Sequence, residues 1–162
     1  MMQVFPDQGA LLGLDFGTKR LGIAISTSDQ SIASPLENYN RVNTDADAKA
    51  IQKLANDYQI QGIVVGLPVH MSGDEGGKAA EARAFGDWVG EVTGLPVAYF
   101  DERYTSSLAD VYLQHGQLSD KKRKANRDKI AAQIMLQNFL DSDDRWQAPG
   151  PIDERGSLQF KE

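Results

Sequence analysis

Three acidic residues, Asp15, Glu102 and Asp128, fall at places in the sequence where carboxylates could bind a divalent metal ion. Carboxylates held close together repel one another, and a bound cation relieves that repulsion. In proteins, Mg²⁺ takes a few carboxylates together with water and phosphate oxygens. Two such ions, about 3.5–4 Å apart, can activate the attacking water and stabilise the leaving oxygen in phosphodiester hydrolysis. The set predicts metal-dependent phosphoryl transfer, which requires neither of the two histidines, His70 and His115.

Asp15 lies near the end of the first predicted strand, residues 11–16. Because side chains alternate across a strand, Asp15 shares a face with Leu11 and Gly13. The glycines on either side, Gly13 and Gly17, leave room for a ligand to approach the carboxylate. An ordinary aspartate at a strand end or turn would explain the position equally well.

Two adjacent acids, Asp101 and Glu102, follow the predicted strand 97–100. Neighbouring strand residues point to opposite faces, so at most one of the two acids can face Asp15. Glu102 continues the face of Ala98 and Phe100. We favour Glu102 as the metal-facing residue and keep Asp101 as the alternative, because pairing at a strand end is weakly fixed.

Asp128 falls in the first turn of a predicted helix that covers residues 126–140. It lies on the same helical face as four apolar residues, Ala131, Ala132, Met135 and Phe139. A carboxylate on a face that packs against a sheet is costly unless it is paired or bound to metal. The alternative is an aspartate that stabilises the start of the helix, which contributes about 0.3–1 kcal/mol and does not require the inner face.

Positive side chains that could contact nucleic-acid phosphates occur in three places. Lys19 and Arg20 lie in the predicted turn beside Asp15, and Arg103 follows Glu102 directly. The segment 120–129 holds six basic residues against two acidic ones, and the phosphate contacts that it predicts are Lys121, Lys122, Arg123 and Lys124.

The formal net charge of the whole chain is −6. A local patch can still bind phosphates, because charge acts within a Debye length of about 10 Å. The alternative for each of these basic residues is solvated surface charge, or for Arg103 an ion pair with a nearby acid.

The elements that must position these residues follow the order β-β-β-α-β-α-β-α-α. Predicted strands cover residues 11–16, 21–26, 31–39, 60–66 and 97–100, and Pro35 makes the third an edge strand. Thr44 begins the first predicted helix, Ser72 and Glu75 form a capping box for the second, and the third covers residues 105–116. A hairpin followed by βαβ units predicts an α/β fold with a mixed five-stranded sheet and helices on both faces.

Length and composition fit one compact domain of 162 residues. The absence of cysteine excludes disulfides, a thiolate metal site and a cysteine nucleophile. We find neither a signal peptide nor an apolar run of about 20 residues, so we expect a cytoplasmic protein that does not bind membranes. The expected organisation is a flexible N-terminus over residues 1–10, a nuclease domain over 11–141 and a mobile tail over 142–162.

Four segments together resemble the YqgF (RuvX-like) family of pre-ribosomal-RNA nucleases, which is related to Holliday-junction resolvases. The segments are LDFGTKRLGIA at 14–24, VVGLP at 64–68, DERYT at 101–105, and Asp128 with the apolar residues at 131–132 and 134–136. They occur in the order and spacing of the family. One departure follows Pro68, where His70-Met71-Ser72-Gly73 replaces a stretch that is usually Asn-Met-Asp-Gly.

The resemblance implies a ribonuclease H-like fold with Asp15, Glu102 and Asp128 as the catalytic acids. It implies Mg²⁺ or Mn²⁺ as cofactor and maturation of the 5′ end of the 16S ribosomal RNA precursor. Branched DNA such as a four-way junction is the alternative substrate. Resolving a symmetric junction needs two active sites and RNA trimming needs one, so we expect a monomer or a weak homodimer.

Two further functions fit parts of the sequence. Residues 15–18 also resemble the first phosphate loop of actin-like and sugar-kinase-like ATPases, but those enzymes need two such domains and this chain has room for one. A non-catalytic nucleic-acid-binding module would keep the fold without cleaving. The presence of all three acids argues against that module.

Overall fold

The computed structural model describes residues 5–67, 77–101 and 120–142, with residues 120–126 described as backbone only. It contains five strands and three helices in these ranges: β1 (Leu11–Asp15), β2 (Arg20–Ser26), β3 (Ala33–Asn40), α1 (Thr44–Asp57), β4 (Gly62–Leu67), α2 (Gly77–Thr93), β5 (Val97–Asp101) and α3 (Asp120–Asp141). The helix predicted at 105–116 and the capping box at Ser72 and Glu75 lie outside the described residues. None of the described helices is long and apolar enough to cross a membrane.

The five strands form one mixed sheet in the order β3-β2-β1-β4-β5. The hairpin strands β1, β2 and β3 pair antiparallel, whereas β4 is parallel to both β1 and β5. The mixed sheet predicted from the sequence is therefore confirmed. Pro35 lies in β3 at an edge of the sheet, as predicted.

Apolar clusters bury both faces of the sheet. On one face, Leu12 and Leu14 pack in a cluster with Ile51 of α1 and Phe85 of α2. On the other face, Leu11, Val64 and Ala98 pack in a second cluster with Met135 and Phe139 of α3. Burying one large aliphatic or aromatic side chain contributes about 1.5–3 kcal/mol to the stability of the fold, so the clusters on both faces stabilise the sheet. The prediction of helices on both faces is confirmed.

Helix α3 begins earlier than the sequence analysis predicts. Its first residue is Asp120, so the prediction of a start at Asn126 is wrong. The basic residues 121–124 lie within the helix, and Asp128 lies in its third turn rather than its first. Lysine, arginine and alanine favour a helix, and neither proline nor glycine interrupts residues 120–141. Because most of residues 120–125 are charged, they lack the apolar periodicity that predicts a helix.

Residues 5–10, part of the segment assigned to a flexible N-terminus, contact the domain. The ring of Phe5 lies edge-on to Phe139 of α3, with centroids 5.5 Å apart. The Gln30 side chain donates hydrogen bonds to the carbonyl oxygens of Pro6, at 3.2 Å, and Gly9, at 3.1 Å. These contacts connect the N-terminal segment to α3 and to the β2–β3 loop.

Candidate active site

Asp15 is the last residue of β1 and pairs with Gly22 of β2 in the antiparallel register. The neighbour on its own face, Gly13, lies directly beneath α3: a Cβ atom placed there would be 3.0 Å from the Cβ of Leu136. Alternation along β1 puts Asp15 on this face as well. The first predicted carboxylate therefore lies at the end of the strand, on the side of the sheet that α3 covers.

The backbone of α3 rests on the sheet at Gly22. A Cβ atom at this position would be 1.9 Å from the carbonyl oxygen of Asp128 and 3.1 Å from its Cα. Because Gly22 is also the cross-strand partner of Asp15, the Cα atoms of both acids lie within about 6 Å of the Gly22 Cα. Two of the three predicted acids are thus brought to one place, although they are 113 positions apart in the sequence.

Hydrogen bonds to β3 fix the position of α3. The backbone N–H of Lys129, next to Asp128, donates to Oδ1 of Asn38 at 2.8 Å. Further along the helix, Gln137 Oε1 accepts from the backbone N–H of Ala33 at 2.8 Å, and Gln133 Nε2 donates to the carbonyl oxygen of Ala33 at 3.2 Å. These bonds hold Asp128 over the β1–β2 hairpin.

Asp128 forms an ion pair with Arg20, the first residue of β2, with 3.0 Å between Oδ2 and Nε. The Asp128 side chain is 27% exposed and that of Arg20 is 59% exposed. Pairs this exposed are worth about 0–1 kcal/mol, so the pair orients the carboxylate without locking it. The alternative of an aspartate that stabilises a helix start is excluded, because Asp128 lies in the third turn.

A depression of about 290 Å³ adjoins this ion pair, and we refer to it as the Asp128 depression. Its lining consists of Gly17, Thr18, Lys19, Arg20 and Asp128. Lys19 and Arg20, both predicted to contact phosphate, therefore lie beside one of the predicted catalytic acids. The side chain of Arg20 is already engaged with that acid.

The third predicted acid follows β5. Strand β5 is parallel to β4, which is parallel to β1, so the carboxyl ends of β1 and β5 lie at the same edge of the sheet. Ala98 and Phe100 pack in the α3-side cluster, whereas Tyr99 packs in the opposite one. Glu102 and Arg103 lie outside the described residues, as do the side chains of residues 121–124.

Asp101 is the last residue of β5 and pairs with Leu67. Alternation assigns it to the face of Tyr99, away from α3. Within the described ranges, no three aspartate, glutamate or histidine side chains lie close enough together to hold a metal ion. The pair Asp15 and Asp128 nevertheless fits Mg²⁺, which is commonly bound through one or two carboxylates and keeps several water ligands.

Arg41 supports the loop that follows Asp15, and sequence analysis did not identify it. Its Nη1 donates to the carbonyl oxygen of Gly17 at 3.3 Å, and its Nε donates to Asp47 at 3.1 Å. The guanidinium also lies over the rings of Phe16 and Phe85, 5.6 and 5.2 Å from their centroids. The contacts join parts of the chain far apart in sequence, and no local pattern marks them.

The counterion of Arg41 is the buried Asp47 of α1. Burial alone would raise the pKa of Asp47, but hydrogen bonds from the Val42 N–H, the Tyr39 hydroxyl and Arg41 outweigh it. The pKa of this carboxyl therefore lies below its ordinary value. Asp47 stays ionised and keeps Arg41 in place beneath the loop.

Comparison with known proteins gives one family match and many relatives. Residues 9–142 match the model of the family described as RuvX, Holliday junction resolvase. A relative from Rhodopirellula baltica, named "Putative pre-16S rRNA nuclease", is 41% identical over 138 residues, which cover 85% of this chain and 80% of the relative. A relative of the same name from Paracoccus denitrificans is 40% identical over 139 residues, or 86% of this chain and 88% of the relative.

Solved structures resemble the fold at low sequence identity. Thermus thermophilus RuvC in complex with a Holliday junction substrate has a TM-score of 0.52 at 15% identity, over 82% of this chain and 93% of that one. The fowlpox virus resolvase with junction DNA has a TM-score of 0.53 at 10% identity, over 82% and 97%. The human cytomegalovirus terminase nuclease domain has a TM-score of 0.51 at 10% identity, over 88% of each chain. These similarities confirm the ribonuclease H-like fold.

Proposed function

Because the chain belongs to the RuvX family, we propose that it is a metal-dependent nuclease that processes the 5′ end of the 16S ribosomal RNA precursor during ribosome biogenesis. The observation that carries the proposal is the convergence of Asp15 and Asp128 on Gly22. The names of the relatives support the substrate. An activity on ribosomal RNA precursors would belong to the cytoplasm.

In this proposal Asp15, Asp128 and Glu102 hold Mg²⁺ or Mn²⁺. The bound ions supply an activated water and charge stabilisation at the leaving oxygen. What supports Glu102 over Asp101 is the strand that precedes it: Ala98 and Phe100 face the α3 side of the sheet, where Asp15 also lies. Glu102 is two positions beyond Phe100 in the sequence, which is the argument for Glu102 over Asp101.

In this mechanism, the two basic residues that line the Asp128 depression, Lys19 and Arg20, bind the substrate phosphate. Lys19 is exposed and lines the depression next to Asp128. Arg20 has the planar guanidinium that binds phosphate oxygens through two donors, and its exposed side chain can turn from Asp128 to the phosphate. Arg103 is the third proposed phosphate contact, on account of its place next to Glu102.

The test is cleavage of a labelled 5′ precursor segment of 16S ribosomal RNA by the wild type and by Asp15→Asn, with Mg²⁺ present. Losing one carboxylate that stabilises charge in the transition state lowers the rate about 100-fold or more. Asp57→Asn is the matched control, because Asp57 is exposed on α1, where it pairs with Lys53. Equal rates for Asp15→Asn and wild type would contradict the assigned site.

A chelator provides a second arm of this experiment. Excess EDTA should abolish cleavage, while the circular dichroism spectrum stays unchanged because both sides of the sheet are held by apolar clusters. Full cleavage in excess EDTA would contradict the metal mechanism.

The second candidate function is resolution of four-way DNA junctions. The family description and the fold shared with two junction resolvases favour it. The same assay run with a labelled four-way junction discriminates, since a resolvase makes paired symmetric cuts and requires a homodimer. Precursor RNA cleavage by a monomer supports the first proposal. A protein that binds both substrates and cuts neither would be a non-catalytic binding module.

A further inference from the structure

Two further depressions lie near the Asp128 depression and share lining residues with it or with each other. Thr18 and Lys19 line both that depression and a second one, of about 480 Å³, which extends to Arg41 and Thr44. Arg41 and Thr44 in turn line a third depression of about 320 Å³. Each depression shares lining residues with the next, and we refer to the three together as the groove.

The far end of this groove is aromatic. Phe16, Phe85 and Trp88 line the third depression, with centroids 5.0 Å apart for Phe16 and Phe85 and 5.8 Å apart for Phe85 and Trp88. The guanidinium of Arg41 lies over two of these rings. Phe16 and Trp88 are partly exposed. We refer to this end as the aromatic pocket.

These groups match the chemistry of an unpaired nucleotide. Aromatic rings and guanidinium planes are the surfaces on which bases of single strands stack, and lysine attracts the phosphates that connect them. A base in a duplex already has its faces covered by its neighbours, so a duplex cannot use the pocket. The acids that line the groove are Asp128, which pairs with Arg20, Asp47, which pairs with Arg41, and Glu81, which is exposed in the aromatic pocket.

We propose that single-stranded nucleic acid binds along this groove, with a phosphate beside Lys19 and one unpaired base in the aromatic pocket against Trp88. The inference rests on the proposed nuclease function and deepens it, because it assigns an unpaired segment of substrate to a site next to the predicted catalytic acids. Phe16 directly follows Asp15, so the pocket and the acid lie at the same end of β1, the acid on the α3 side of the sheet and the pocket on the side of α1 and α2.

Tryptophan fluorescence tests the proposal. The chain has two tryptophans, so Trp146→Phe leaves Trp88 as the single reporter. With EDTA present to prevent cleavage, an oligoadenylate of about ten nucleotides should quench Trp88, whereas a blunt duplex of the same length should not. An oligodeoxyadenylate arm shows whether the ribose contributes. Absence of quenching by both single strands would overturn the proposal.

Substitutions locate the binding site. Trp88→Leu should weaken oligoadenylate binding about 5- to 150-fold, as expected when one stacking ring is removed. Tyr58→Ala is the control, since Tyr58 is also an exposed aromatic residue but does not line the groove. If Trp88→Leu fails to fold, Glu81→Lys replaces it: this exposed position on α2 tolerates lysine, and the added charge should tighten binding.

The outcome is separable from the nuclease proposal. Unchanged affinity in both Trp88→Leu and Glu81→Lys would overturn the proposal of binding along the groove, even where cleavage depends on Asp15. Weakened binding in Trp88→Leu would support the groove even where no cleavage is found. Binding in EDTA therefore tests the groove, and loss of cleavage in Asp15→Asn tests the nuclease.

Discussion

At the residue scale, the carboxylate of Asp128 is the point at which two cations compete. The guanidinium of Arg20 occupies it now, at 3.0 Å, and the proposed metal ion needs the same oxygens. Arg20 therefore has two proposed roles that oppose each other: it binds the substrate phosphate, and before that it shields Asp128 from metal. A substitution of Arg20 separates the two roles.

We predict that Arg20→Gln binds Mn²⁺ about 1.4- to 5-fold more tightly than the wild type and binds substrate more weakly. The gain corresponds to the worth of an exposed ion pair, about 0.2–1 kcal/mol. Isothermal titration with Mn²⁺ and an oligonucleotide binding assay measure the two effects.

Lys19→Gln is the matched control, because it removes a neighbouring positive charge and leaves the Arg20–Asp128 pair intact. It should weaken substrate binding with a smaller effect on Mn²⁺ affinity. Weaker Mn²⁺ binding in Arg20→Gln than in Lys19→Gln would contradict competition at Asp128.

The sequence singles out Asp15 and Asp128 as candidate site residues because each carboxylate interrupts an apolar pattern. Asp15 lies at the end of an apolar strand, and Asp128 lies on the face of α3 that carries Met135 and Phe139. Arg41 has no such signal, since it stands between a strand and a helix and its partners Gly17 and Phe85 are distant in sequence. The catalytic roles of Asp15, Asp128 and Glu102 all stay predictions.

At the scale of elements, one close approach decides where Asp128 lies. Helix α3 contacts β2 at Gly22 through main-chain atoms, which cannot rotate away as a side chain can. The absence of a Cβ at this position is therefore a requirement of the packing between helix and sheet.

We predict that Gly22→Ala destabilises the protein by about 1–3 kcal/mol, the usual cost of overpacking, and lowers cleavage because α3 must move away with Asp128. Urea unfolding and the RNA cleavage assay measure the two effects. Gly77→Ala at the start of α2 is the control, because no atom lies within 4 Å of its added Cβ. A Gly22→Ala protein as stable and active as this control would show that α3 accommodates the methyl group at no cost.

Most of the elements are predictable from the sequence. The predicted ends of β1, β2, β3, β4 and β5 lie within two residues of those observed, because apolar and β-branched runs bounded by turn residues mark them. The start of α3 is not predictable in the same way. Its first two turns carry mostly charged residues, and an apolar face begins only at Ala131.

At the scale of the whole molecule, an acidic chain must present positive charge locally to bind nucleic acid. The backbone of residues 121–124 lies in the first turns of α3, about 6–10 Å along the helix axis from Asp128. The predicted phosphate contacts Lys121, Lys122, Arg123 and Lys124 thus share a helix with a predicted catalytic acid.

We predict that replacing Lys121, Lys122, Arg123 and Lys124 by glutamine weakens binding and flattens its salt dependence. The slope of the logarithm of affinity against the logarithm of salt should fall by about 0.7–0.9 for each phosphate that is no longer neutralised. Affinity measured over a range of NaCl concentrations gives the slope. The control is the double variant Lys49→Gln/Lys53→Gln on α1, on the opposite face of the sheet, which should leave the salt slope unchanged. An equal slope in the two variants would show that residues 121–124 do not contact the nucleic acid.

The fold class is predictable because a hairpin followed by βαβ units leaves few arrangements of the sheet. It is harder to predict which residues lie next to each other in three dimensions. Nothing in the local pattern shows that α3 crosses β2 at Gly22, and that crossing is what brings Asp128 beside Asp15. The motifs of the family resemblance supply this information indirectly, since they contain both acids.

The edge strand β3 has a consequence for assembly. Pro35 lacks an N–H donor, and the pairing with β2 shifts register between Ile23 and Ala24, so this border of the sheet is less regular than an uninterrupted strand. Both features disfavour a second molecule that would extend the sheet by adding a regular strand there. We expect protomers that associate to meet through other surfaces, and each one then keeps its own sheet and its own pair of carboxylates.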